Sequence, residues 1–387
     1  MIRKWNETNE QISLLRNNSH MTRRTMLKFF LSFLAVGLGS YWFLQQKLFG
    51  KTPSGSRLDR ILKSPNYRNG VFQNLSPTEV MSNKDSSTLD MIRKFVFGTE
   101  NIKPPKPLPS VKTDLKNLSA ETPTIVWFGH SSYLIKSKNT TILVDPVFSG
   151  HASPVSFMVK AFDGANTYGV DDMPEIDMLI LSHDHYDHLD YQTIMKLIPK
   201  IKQFYVALGV GEHLEYWGVK PENIVEFDWM ESHQVANNIS LTATPARHFS
   251  GRSFARAKSL WVSYVLDIHG YKIFLGGDSG YDTHFKTIGE KFGPFDFALL
   301  ENGQYNMDWH YIHSLPEETA QIAQDLNVKA FMPVHWAKFA LAFHDWNEPM
   351  IDLKNSIEGK NLKMTTPMIG EPVVLDKVYP DKEWWKS

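Results

Sequence analysis

The densest chemistry in the chain lies at residues 182–190, which read SHDHYDHLD. His183, His185, Asp187 and His188 form the pattern HxHxDH directly after the apolar run MLIL at residues 178–181. With 15 histidines in the chain, chance produces that pattern with odds on the order of one in a thousand. Imidazoles two residues apart on an extended turn can converge on one ion, while the adjacent Asp and His point toward a second ion. A structural zinc site would be closed by four ligands of one local unit, so this one-sided motif needs ligands from elsewhere. The chain has no cysteine, which excludes disulfides, a thiolate nucleophile and Cys-ligated zinc, and leaves His, Asp and Glu to build any metal site.

The elements that must position those ligands are short apolar runs ending in polar residues. Strands are predicted at residues 124–128, 141–144, 178–181, 239–243, 261–268, 272–275 and 297–300. Helices are predicted at 191–198 and 316–326, the second with Ser314 as cap and Glu317 and Glu318 in its first turn. This alternation predicts a layered α/β domain. In such domains sites collect on the loops beyond strand C-termini, and His248, Asp278 and His335 each close an apolar run. Gly276 and Gly277 would let the backbone approach a metal closely, and an acid at 278 would offset the repulsion between two neighbouring cations.

The 387 residues allow one large domain or two, and 42% hydrophobic with 21% charged residues is ordinary globular composition. A formal charge of -1 argues against a nucleic-acid partner. Residues 1–48 contain a nearly uncharged apolar stretch after Arg23 and Arg24, resembling a twin-arginine export signal, and we expect an export signal or a retained membrane anchor. Basic residues ahead of it place the N-terminus in the cytoplasm and the rest of the chain on the extracytoplasmic side of the bacterial inner membrane, with release after signal cleavage as the alternative. Residues 49–121, rich in Pro, Ser and Asn, are expected as a lead segment packing on or linking to a catalytic domain at 122–375, with a tail at 376–387.

The ligand pattern resembles the metallo-β-lactamase superfamily. Further stretches, WFGHSSYLI from 127, LVDPVFSGHASP from 143, TPARHFSGR from 244, GPFD from 293, HSLPEE from 313 and VHWAKFAL from 334, resemble its N-acyl-phosphatidylethanolamine-hydrolysing phospholipase D branch. The resemblance implies a four-layered αβ/βα sandwich preceded here by the N-terminal membrane or signal helix. It implies two Zn2+, with His183, His185 and His248 on one, Asp187, His188 and His335 on the other, and Asp278 bridging. It also implies that Asp145 orients a ligand histidine, where a plain Asp-Pro turn is the alternative, and that His130 is a structural or supporting histidine. Catalytic roles fall to Asp187, Asp278 and His313; for His313 the alternative is a surface cap.

The implied reaction is hydrolysis of a phospholipid phosphodiester by a metal-activated water, giving phosphatidate and N-acylethanolamine at a membrane surface. A phosphosugar-lactone type lactonase and a non-catalytic metal- or lipid-binding envelope protein are the rivals. Glu301, Asn302 and Gln304 depart from the branch and point toward a smaller, more polar substrate. Trp309, Tyr311, Trp336, Phe339, Phe343 and Trp346 flank the metal loops as either cleft lining or core.

Overall fold

The computed structural model describes residues 23–81, 101–252 and 255–386. It divides into two compact units, Met1–Gln46 and Lys47–Ser387. In the first, Arg23–Leu44 forms a helix on which Phe29, Phe30, Phe33, Tyr41 and Trp42 are exposed. The expected membrane span is not supported: among the described residues no helix is long and apolar enough to cross a membrane. Lys28, Ser32, Gly37, Gly39 and Ser40 dilute the apolar run.

The second unit opens with the short helix Gly55–Ile61 and the hairpin β1 (Tyr67–Arg68) and β2 (Val71–Phe72). Two large sheets follow. The first contains β3 (Thr124–Trp127), β4 (Tyr133–Ser137), β5 (Thr140–Val144), β6 (Ile176–Leu181), β7 (Ile201–Ala207) and β8 (Ile224–Phe227). The second contains β9 (Ser232–Ala236), β10 (Ile239–Pro245), β13 (Val262–Ile268), β14 (Tyr271–Leu275), β15 (Phe297–Glu301) and β16 (Phe331–Val334), while β11 (Gly251–Arg252) and β12 (Ala255–Arg256) form a separate hairpin. β17 (Pro372–Val374) returns to the first sheet, whose order is β17-β3-β4-β5-β6-β7-β8; the second runs β16-β15-β14-β13-β10-β9. Each is antiparallel over one half and parallel over the other. The parallel halves read as continuous apolar runs such as IDMLIL and FALLE, as strands buried on both faces do.

The two-residue period sorts these side chains into layers. Leu266, Ile273, Leu275, Phe297, Leu299, Met332 and Val334 join Leu179, Leu181 and Ile142 of the other sheet in the main core. Their neighbours Val265, Phe274, Ala298, Leu300 and Phe331 point away, into a second core. There the helices His284–Phe292, Pro316–Asp325 and Glu348–Ile357 contribute Phe285, Ile288, Ala320, Ala323 and Leu353. Sheet faces sheet, and helices cover the outer side, as the sandwich predicts. Two local expectations fail. Ser314 does not cap its helix: its hydroxyl donates to the Ser279 carbonyl (2.6 Å), and Glu318 instead accepts from the Leu315 N–H (2.9 Å). Gly276 serves strand packing, since a Cβ there would lie 2.6 Å from the Leu299 carbonyl oxygen.

Candidate metal centre

The candidate ligands all lie just past strand ends along one edge of the sandwich. β6 delivers His183, His185, Asp187 and His188; β10 delivers His248, β14 Asp278 and β16 His335. The backbone there is tightly held. His130, Asp145 and His335 adopt φ of 52°, 39° and 68°, a left-handed region costing non-glycine residues of order 1–3 kcal/mol each, so surrounding bonds must impose it. His130 N–H donates to the Trp336 carbonyl (2.8 Å), His335 N–H to the His130 carbonyl (3.0 Å), and Trp127 Nε1–H to that same carbonyl (2.7 Å). The β3 and β16 loops are thereby laced together.

His183 Nε2 lies 2.9 Å from His185 Nδ1, which lies 3.2 Å from His248 Nε2. Nitrogens at about 2.0–2.1 Å from a tetrahedral ion sit roughly 3.3 Å apart, so this triangle fits one face of a zinc sphere. Ligand-capable atoms of Asp187, His188, His335 and His130 form a second group within 4.8 Å of one another. Asp278 Oδ2 stands between the groups, 3.1 Å from His188 Nε2 and 3.8 Å from both His183 Nε2 and His248 Nε2. Asp278 Oδ1, His188 Nε2 and His335 Nε2 are buried without a hydrogen-bond partner among the described residues. Close approach without hydrogen-bond geometry, among buried atoms that normally find partners, is what lone pairs aimed at a common third point produce. The donor set fits metal binding on that observation.

Neighbouring groups fix which nitrogen each imidazole presents. The His188 Nδ1–H faces Asp145 Oδ2 (2.8 Å), and Asp145 also accepts from Ser182 N–H (2.9 Å) and its hydroxyl (2.6 Å). Asp145 is therefore no plain turn residue. The Ile312 carbonyl holds His248 Nδ1–H (2.8 Å), and His130 Nε2 faces Asp187 Oδ2 (2.9 Å). Such partners set the tautomer and raise ligand basicity. Burial holds His183, His248 and His335 well below the usual imidazole value, in the neutral form a metal ligand requires. Burial would lower His188 too, but Asp278, Asp187 and Asp145 outweigh it and hold it well above. That anionic surrounding is suited to a cation.

A cleft of about 290 Å³ opens onto this centre, its walls including Val80, Phe249, Trp309, Ile312, Leu341 and Arg256. His313 also lines it and is no surface cap: its Nδ1 meets Glu301 Oε1. Burial opposes charge on His313, yet the Glu301 carboxylate holds it above its ordinary value; burial likewise pushes Glu301 up to about 8, against the pull of His313.

A beta-lactamase superfamily domain matches residues 140–336. The chain belongs to that superfamily. An uncharacterised protein of Mycobacterium tuberculosis is 35% identical over 84% of this chain and 88% of its own. The N-acyl-phosphatidylethanolamine-hydrolyzing phospholipase D 1 of Caenorhabditis elegans is 29% identical over 62% of this chain and 71% of its own. Among solved structures, an isothiocyanate hydrolase from Delia radicum gut bacteria superposes with a TM-score of 0.51 at 16% identity, covering 65% of this chain and 98% of that one. The fold expectation therefore stands, and by class the protein is a metal-dependent hydrolase.

The polar departure at 301–304 has a different meaning from the expected one. Asn302 is wholly buried and donates to the Pro349 carbonyl (2.8 Å). Gln304 touches the cleft, but its amide nitrogen faces the His335 and Phe339 carbonyls and its oxygen accepts from Leu341 and Ala342 N–H groups. Gln304 thus braces the His335 loop and Asn302 ties β15 to the helix Glu348–Ile357, so neither argues for a polar substrate. Trp336 and Phe339 are core and Trp309 lines the cleft. The pairing of Glu301 with His313 was not visible in sequence, because the loop after β15 must fold back on the strand end to bring them together and a lone Glu carries no spacing signal.

Proposed function

We propose that this protein is a dinuclear zinc phosphodiesterase acting on N-acyl-phosphatidylethanolamine-type phospholipids on the extracytoplasmic side of the membrane. One observation carries the reading: the Asp278 carboxylate stands between two groups of candidate ligands, in the lining of a cleft walled by Val80, Phe249, Trp309, Ile312 and Leu341. The C. elegans relative's name supports the lipid. His183, His185 and His248 would hold one ion, Asp187, His188 and His335 the other, with Asp278 shared. Metal held by these residues would supply an acidified water and offset charge on the phosphate oxygens. Asp145 and the Ile312 carbonyl keep the ligand nitrogens of His188 and His248 facing the centre. His130 steadies Asp187. The apolar walls receive acyl chains and exclude water, so that binding energy remote from phosphorus helps place it.

The expected outcome is that zinc-loaded protein converts N-acyl-phosphatidylethanolamine in mixed micelles to phosphatidate and N-acylethanolamine. In ¹⁸O-water the label should enter phosphatidate, as mass spectrometry would read. Asp278→Ala should lose both bound metal and turnover, whereas His284→Ala, outside the candidate ligand groups, should keep its metal. Turnover of lactones with intact lipid diester would overturn the substrate assignment.

A further inference from the structure

We infer that Glu301 is a positioning residue for this hydrolysis, acting through His313 to aim the nitrogen that gives a proton to the departing alcohol. The inference rests on the phosphodiesterase reading above. Glu301 ends β15 and is buried. Its two carboxylate oxygens are committed to different partners: Oε2 accepts from Ser279 N–H (2.5 Å), next to Asp278, and Oε1 meets His313 Nδ1. The His313 ring is stacked on His335 (5.3 Å, 17°) and stands edge-on to His248 (5.0 Å, 67°), between ligands of the two metal groups. With Nδ1 committed to Glu301 behind it, the nitrogen left for the cleft is Nε2.

A carboxylate on one imidazole nitrogen fixes the tautomer and orientation of the other, the arrangement that general acid–base catalysis uses. In the proposed step the P–O bond to the alcohol breaks and its electron pair leaves on the alcohol oxygen. That oxygen takes the Nε2 proton, and the proton released by the attacking water restores the imidazole. The sum is diester plus water giving monoester plus alcohol. The rival role is ligation, because ligand-capable atoms of Asp278, Glu301, His313 and His335 also lie within 4.8 Å of one another.

The test uses zinc-loaded full-length protein and soluble phosphodiesters whose departing group runs from 4-nitrophenolate to a simple alkoxide. Proton donation matters more as the departing oxygen becomes more basic. Glu301→Gln, which cannot accept from both Ser279 N–H and His313, should lower kcat severalfold for 4-nitrophenolate and about 10–100-fold for alkoxide, with KM steady. His313→Ala should show the same trend with a larger loss, about 10²–10⁴-fold for alkoxide. The double variant should be no slower than His313→Ala alone, since the two act as one unit. Bound zinc should equal wild type in all three.

Loss of zinc from Glu301→Gln or His313→Ala would overturn the inference in favour of ligation. An equal loss across the leaving-group series would also overturn it while leaving the phosphodiesterase reading intact, and His313→Ala decides the point alone if Glu301→Gln does not fold. Failure of the wild type to turn over any diester would overturn the reading and the inference together.

Discussion

Lys338, three residues past a candidate ligand, is buried, and its ammonium donates to the Phe128 (3.1 Å) and Val147 (2.8 Å) carbonyls, with no carboxylate among the described residues bonded to it. Burial lowers it from 10.5 to about 7. Because the folded value lies below the unfolded one, the unfolded chain binds the extra proton between about pH 7 and 10.5, and stability must rise with pH across that window, by at most about 1.4 kcal/mol per unit. Denaturant titrations at equal metal loading should show wild type gaining on Lys338→Met from pH 7 to 9.5 and running parallel to it below pH 6. Parallel curves throughout would sink this. The seven candidate ligands were legible because metal chemistry demands fixed residue types at fixed spacings, and the fold brings them to one edge. Lys338 and Glu301 were not, since a lone Lys or Glu carries no spacing signal and its burial is decided by strands distant in sequence.

Among elements, the lead segment does more than connect. Asn74 clasps the His248 backbone in both directions, its side-chain amide donating to the His248 carbonyl (2.8 Å) and its side-chain oxygen accepting from the His248 N–H (3.1 Å). Arg57, on the helix Gly55–Ile61, reaches Glu212 (2.7 Å), Glu226 (2.8 Å) and Glu215 (3.1 Å). Removing one partner of a well-buried pair costs about 3–5 kcal/mol; Lys51 still faces Glu212, so Arg57→Met should cost about 2–3 kcal/mol by chemical denaturation. A change within about 0.5 kcal/mol would mean these pairs are screened as surface bridges are. Sequence reading located the β6, β10, β13, β14 and β15 strands to within a residue or two, because apolar residues run or alternate along each of them. It passed over β7 and β9, where Lys202, Gln203, His233 and Gln234 interrupt the pattern on strands with partly exposed residues.

At the scale of the whole molecule, the exposed apolar helix Arg23–Leu44 remains as a candidate export signal. A reporter active only outside the cytoplasm, fused to the full chain, should be exported, and Arg23→Lys with Arg24→Lys should block it; unimpaired export of that double variant would count against the twin-arginine route. The sandwich was legible as alternating strands and helices, but its closure was not, because the edge strand β17 shows no pattern beyond three residues. Residues 372–374 pair with residues 124–126, and Trp336, beside His335, is stacked between Trp127 (5.6 Å) and Trp384 (4.9 Å). This bears on the order of events during synthesis. A ribosome delivers β3 long before β17, so the first sheet lacks its edge and Trp336 half its packing until translation reaches the 380s. The β3 and β16 loops that brace the candidate ligands thus settle only after that, and a nascent chain stalled before residue 372 would carry every ligand in its sequence yet hold metal loosely. Tight metal binding at the candidate centre should therefore need residues 372–385 in place, which full retention of metal by a chain truncated before 372 would contradict.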